Sequence, residues 1–321
     1  MMKSPFFLSS YTSRSVLSLL RGTVMVLTLL VAWGSLVACS SSDDLLEDDR
    51  QQYTVVLDKP LRVLVLGNSF SVDGLTYLDE LTKAADIDVR QYGIFNGMIN
   101  GGGLAEWMEA YRKGTPYSFK RISGQLGMTD YGTVRDVLSQ DWDIIVLMQS
   151  SDKSYLWESF EPFLRDMIAL VRNHCTNPAV QLAYAIPWGH TEASSPKELA
   201  GNITCARRLS EAYGIDVVIP VGVAIQNARL TRLNNDTYLT RDDWHLCFGV
   251  GRYIAACTWY ESLLTPRTRL PIVGNTALHP LSRDERATKG AVAVDESNRL
   301  LCQECALRAV ATPFEVSQIT E

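Results

Sequence analysis

The chain has 321 residues, 46% hydrophobic and 21% charged, with 21 Gly and 12 Pro, values that exclude whole-chain disorder, a collagen-like repeat and a coiled coil. At this length a fold buries roughly three-quarters of the unfolded surface, so a large core forms without staples. The net charge of −6 and the lack of a Lys/Arg-rich block argue against nucleic acid as a partner.

The first predicted element is a targeting segment, residues 1–38. Lys3, Arg14 and Arg21 precede an uncharged apolar stretch that ends Leu36-Val37-Ala38-Cys39. A basic start, an apolar middle and small residues before a cleavage point describe a secretory signal. The alternative, a retained anchor, has only the minimum length to span. Leu-Val-Ala-Cys resembles a bacterial lipobox, which implies that Cys39 is acylated and becomes the mature N-terminus. Residues 39–52 then read as a flexible acidic tether, because Ser40-Ser41-Ser42-Asp43-Asp44 and its continuation bury too little apolar surface to fold. An acidic tract after a lipidated Cys also resembles the surface-export signal of Bacteroides-like lipoproteins. That implies a lipid-anchored protein of the bacterial envelope, at the outer membrane and facing outward, with the lipid as its sole membrane contact.

From residue 53 onward, apolar runs alternate with amphipathic stretches. Strands are predicted at 61–66, 89–95, 143–148, 180–186 and 216–221. Helices are predicted at 73–85 (with Asp73 as N-cap), from the Gly101-Gly102-Gly103 turn through 111, and at 160–173, 196–213 and 250–264. Continuous apolar strands separated by helices predict an α/β fold with a mainly parallel five-stranded sheet, helix-covered on both faces. Residues 53–264 form this domain, and 265–321 a C-terminal extension, mostly helical over 281–310, packed on it. Ligands in such folds sit outside the carboxyl ends of the strands, so chemistry is sought there.

Six cysteines follow Cys39: Cys175, Cys205, Cys247, Cys257, Cys302 and Cys305. An even number outside the cytoplasm can pair, with a connectivity that sequence leaves open. The lone Cys302-x-x-Cys305 spacing lacks the partners of a zinc site and reads as small buried thiols on a helix. No metal or organic cofactor is expected.

Four segments carry chemistry. Gly67-Asn68-Ser69 places a serine on a strand-to-helix turn, where its hydroxyl and backbone N–H face the same spot near a positive helix end. The plain alternative is a turn serine capping the helix. Asp242-Asp243-Trp244-His245 supplies a base and, three residues upstream, a carboxylate to orient it. His190, after Trp188-Gly189, competes as base, while His174 and His279 read as capping or surface residues. Asn100-Gly101-Gly102-Gly103 offers free N–H groups at a helix start. Gln149-Ser150-Ser151-Asp152 offers an amide or hydroxyl donor.

This order of segments, over residues 61–264, resembles the SGNH (GDSL-type) hydrolase superfamily, with Gly-Asn-Ser where that superfamily has Gly-Asp-Ser. Leu-Gly-Asn-Ser-Phe-Ser, the Trp-Asp-Ile-Ile-Val strand and Ala-Ala-Cys-Thr-Trp-Tyr-Glu look like its DUF4886 branch. The resemblance implies a flavodoxin-like three-layer α/β/α sandwich and metal-free ester hydrolysis. It implies Ser69 as nucleophile, His245 as base and Asp242 as its orienter, with Ser69, Gly101 and a third donor in the oxyanion hole. That donor is Gln149 by chemistry, with Ser151 as the alternative by register. The expected substrate is an acyl ester, an acetyl ester of a carbohydrate foremost, and Trp107, Trp188 and Trp244 are candidates to stack on a sugar. The alternatives are an acyltransferase using the same triad and a non-catalytic glycan-binding lipoprotein.

Overall fold

The structure, a computed structural model, describes residues 54–320. The signal segment, Cys39 and the tether lie outside the described residues.

Leu61–Gly67 (β1) is apolar on both sides because both sides are covered. Val63 and Val65 enter one core, Leu64 and Leu66 the other. The chain continues through helices Ser69–Leu75 (α1) and Leu78–Ala84 (α2), strand Tyr92–Met98 (β2), helix Leu104–Lys113 (α3) and strands Pro116–Gly124 (β3) and Tyr131–Thr133 (β4). Helix Val134–Leu138 (α4), strand Ile144–Leu147 (β5), helix Phe163–His174 (α5), strand Gln181–Ala185 (β6), helix Ser195–Tyr213 (α6) and strand Ile215–Ile219 (β7) follow. Helices Val221–Arg229 (α7), Val250–Leu263 (α8), Thr265–Thr268 (α9), Arg283–Arg286 (α10) and Arg299–Ala311 (α11) complete the order.

The sheet runs β4-β3-β2-β1-β5-β6-β7. Pairing is parallel from β2 through β7 and antiparallel at β2–β3 and β3–β4. The expected five-stranded sheet is therefore corrected to a seven-stranded one. The two unexpected strands are hard to read: β4 has three residues, and β3 mixes exposed Ser118, Lys120 and Arg121 with buried Phe119 and Ser123. The chain leaves β1 for β2 on one side and later returns to β5 on the other. The carboxyl end of β1 is thus the switch point where a crevice opens.

Two helix expectations also change. The 73–85 helix is two helices, and the N-cap is Asn68, whose Oδ1 accepts from the Phe70 N–H at 3.0 Å. Asp73 lies inside α1 and is buried. The 281–310 helix shrinks to α10 and α11, because Gly249–Val292 and His279–Val294 bridges hold the intervening chain extended. α11 packs on α7 and α8, with Cys302, Cys305 and Ala309 in the core. The six described cysteines are free thiols. Burial pushes Cys205 and Cys247 up to about 11, so these thiols stay protonated and pack as small apolar groups. Among the described residues no helix is long and apolar enough to cross a membrane, and no His/Cys/Asp/Glu group of three or more is arranged to hold a metal.

Candidate active site

Three loops meet at the switch point. Ser69 follows β1, Gly101 follows β2 and Ser151 follows β5, and all three line one cavity of about 300 Å³ with Asn100, Asp152, Trp244 and His245. Ser69 is the first residue of α1. Its N–H is one of the donors that a helix leaves without an intrahelical acceptor, and its hydroxyl sits at the positive end of the helix. Asn68 fixes the turn that presents it. Besides capping α1, its Nδ2 donates to Gly102 O at 2.9 Å and to Gln149 O at 3.1 Å. One buried amide thus ties together the loops after β1, β2 and β5.

His245 Nε2 stands 2.9 Å from Ser69 Oγ, and His245 Nδ1 stands 2.8 Å from Asp242 Oδ2. The turn itself makes this possible. Asp242 Oδ1 accepts from the backbone N–H of Trp244 at 3.1 Å and of His245 at 2.7 Å, which folds the carboxylate back beneath the imidazole. Asp243, at φ 66°, supplies the left-handed step between them. Partial burial pushes the Asp242 carboxyl up, but the amides of His245 and Trp244 and the imidazole outweigh it and hold the group below the usual carboxylate range. With Asp242 ionised, Nδ1 carries the proton and Nε2 is free to take one from Ser69.

The loop is anchored by a residue whose role sequence reasoning missed. Asp73, 1% exposed, accepts from Arg241 Nη1 at 3.2 Å, from Arg252 Nη2 and from the Leu246 N–H at 2.7 Å. The two loop contacts flank the Asp242–His245 turn, and the carboxylate rides on α1 four residues after Ser69. The clamp therefore sets the serine-to-histidine distance. Two arginines flanking a short Asp-x-x-His turn were the available signal, since buried cations need a carboxylate. Phe70 adds packing: its ring stacks on Trp188 at 3.9 Å and meets the His245 ring edge-on at 5.9 Å.

The other named residues separate cleanly. Gly102 donates to Ile99 O at 2.9 Å, whereas Gly101, at φ 63°, has an amide with no acceptor among the described residues. Gln149 does not reach the pocket. Its Nε2 donates to Ser159 O at 2.9 Å and Ser159 Oγ at 3.2 Å, and its Oε1 accepts from Ser150 N and Leu104 N. The preference for Gln149 over Ser151 is therefore reversed: the amide is consumed in bracing the loop, and Ser151 faces the cavity. His190 is taken up by Glu198, whose Oε1 lies 3.1 Å from Nδ1. His174 bonds Tyr111 at the end of α5, and His279, far from a surface role, is buried between Glu80 and Glu285. Trp107 and Trp188 belong to the cores; Trp244, 44% exposed, stands at the pocket mouth.

Residues 62–289 match the model of a family described as "Domain of unknown function (DUF4886)". The chain belongs to the DUF4886 family. Among solved structures it is similar to a DUF4886 family protein from Bacteroides uniformis, at 26% identity and a TM-score of 0.67, over 81% of this chain and 98% of that one. No curated protein matches it. The DUF4886 match spans the strands after which Ser69, Gly101 and Ser151 stand, and the turn that carries Asp242 and His245.

Proposed function

We propose that this DUF4886 protein is a serine ester hydrolase of the SGNH type, removing acyl groups, acetyl foremost, from carbohydrates. The observation that carries the reading is the hydrogen-bonded chain Ser69–His245–Asp242, at 2.9 and 2.8 Å, on the floor of a cavity at a helix N-terminus.

Ser69 Oγ attacks the ester carbonyl carbon while its proton passes to His245 Nε2. The carbonyl oxygen, now negative, accepts hydrogen bonds from the Ser69 and Gly101 amides and from the Ser151 hydroxyl. Collapse breaks the ester C–O bond, and His245 gives the proton to the departing sugar oxygen, which leaves as a hydroxyl. Water, deprotonated by His245, then attacks the acyl-enzyme; the bond from the acyl carbon to Ser69 Oγ breaks, His245 passes its proton to Oγ, and the carboxylic acid leaves. Asp242 holds the imidazole in the required tautomer throughout. The reaction needs no cofactor. Trp244, exposed at the mouth, supports a sugar as the alcohol part, because an apolar ring face packs on a pyranose. The lipobox-like Cys39 supports anchoring in the bacterial envelope, where such glycans are met.

The test compares soluble protein from residue 53 onward with its Ser69→Ala variant, on 4-nitrophenyl acetate and acetylated glycans. Loss of turnover by about 10⁵-fold in a folded variant supports the reading. Equal rates, or none in either protein, refute it.

A further inference from the structure

A second cavity, about 480 Å³, opens along α1. Val72 and Thr76 line it, and with Ser69 they form an i, i+3, i+7 stripe along one side of the helix. At 1.5 Å rise per residue they stand about 5 and about 10 Å along the axis from Ser69. From the sheet, Asn96 and Met98 line the same cavity, and two and three residues beyond Met98 the chain reaches Asn100 and Gly101 of the catalytic pocket. Helix stripe and strand end together place this cavity next to the Ser69 pocket, as a lane running outward along α1.

The lane has a defined chemistry. Its near floor is apolar: Val72 is 38% and Met98 44% exposed. Its far wall is cationic, because Lys120 sits opposite Asn96 in the β2–β3 register and Arg121 follows it. Among the described residues neither cation pairs with a carboxylate, and Arg121 donates only to the Gln125 carbonyl. No acidic side chain lines the cavity. In a chain of net charge −6, an acid-free cavity with two adjacent cations attracts anions. The apolar floor selects an organic anion, since a bare inorganic ion has nothing to lay on it. Charge on β3 beyond Ser118, where β4 no longer pairs with it, also guards an open edge against pairing with another chain, but that duty needs no cavity.

We propose that this lane holds the acidic end of the ester substrate, so that the preferred substrate is an anionic acylated sugar whose acid group rests on Lys120 and Arg121. The proposal rests on the esterase reading above for its catalytic half only.

Three matched substrates test it: O-acetylated methyl glucoside, the corresponding methyl glucuronide and the 6-sulfated glucoside. The parent should favour at least one anion over the neutral sugar by about tenfold or more in kcat/KM, with the preference shrinking as salt screens it. In Lys120→Gln/Arg121→Gln, with an unchanged unfolding midpoint, the ratio should fall to near one. The carboxylate and sulfate arms tell which acid group is meant. A parent indifferent to charge, or a double variant that keeps the preference, overturns the proposal and leaves the cations to edge protection. 4-Nitrophenyl acetate, too short to reach the lane, reads the esterase activity separately. Should every ester prove inert, calorimetric titration of the parent with methyl glucuronide at low salt still decides. Heat that disappears in the double variant supports the anion site, and no heat in the parent overturns it.

Discussion

Asp73→Ala should weaken the fold and the active site together, through one carboxylate. In the parent, Asp73 is 1% exposed and faces two guanidinium groups, with the Arg241 side chain 19% and the Arg252 side chain 10% exposed. Deleting it leaves two largely buried cations without their carboxylate and the Leu246 amide without its acceptor. Removing one partner of a buried ion pair costs about 3–5 kcal/mol. The low end applies here, because Arg241 can turn toward water. About 3 kcal/mol lowers the unfolding midpoint by roughly 6–10 °C for a domain of this size. The 241–246 turn also loses its tie to α1, and a shift of about 1 Å in His245 lowers turnover roughly 100-fold. Thermal unfolding followed by circular dichroism reads the first effect, and acetate release the second. Asp73→Asn, which keeps an acceptor for Leu246 but loses the charge, should fall between parent and Ala. If Asp73→Ala unfolds within a degree or two of the parent and keeps full activity, the clamp argument is wrong.

Asp242→Asn should leave the fold intact and lower kcat by about 10³–10⁴-fold, since the amide favours the wrong imidazole tautomer; steady-state kinetics on 4-nitrophenyl acetate check this. Gly103→Ala should destabilise the protein by about 1–3 kcal/mol, because a Cβ there falls inside contact distance of Gln149 Oε1 and the Ser150 amide. Denaturant titration reads that cost. His279 loses some basicity to burial, but hydrogen bonds and charge from Glu80 and then Glu285 outweigh this and raise its pKa. A raised folded pKa gives stability that is complete below the unfolded value near 6.5 and is lost as pH rises through the folded one. The parent's unfolding midpoint should therefore fall as the pH rises above about 6.5, and His279→Gln should flatten that slope. Glu285, which burial pushes up but the Ser282 amide and hydroxyl and His279 bring down to about 2, keeps its share of stability until the pH falls below the ordinary carboxylate range.

The α/β class and the parallel order were legible because both depend on local pattern. Runs such as Val63–Leu66 and Ile144–Leu147 are apolar at every position, and only a strand covered on both faces calls for that. The residues after those strands were legible for the same reason, since a parallel sheet sends its loops to one end. Ser69, Gly101 and the loop after β5 could be gathered from the chain order alone, and the Asp242–His245 spacing is short enough for a single turn to close it. Tertiary structure decided what depends on contacts between distant segments. β3 became a strand by pairing with β2, although its own polar residues carry no clear period. Asp73 became a clamp instead of a cap because Arg241 and Arg252, some 170 residues away, converge on it. Ser151 rather than Gln149 faces the cavity because Ser159 and the loop after β5 take up both ends of the glutamine amide. A side chain's type is written in the sequence, but which of its hydrogen bonds remain free is set by neighbours that only folding brings near.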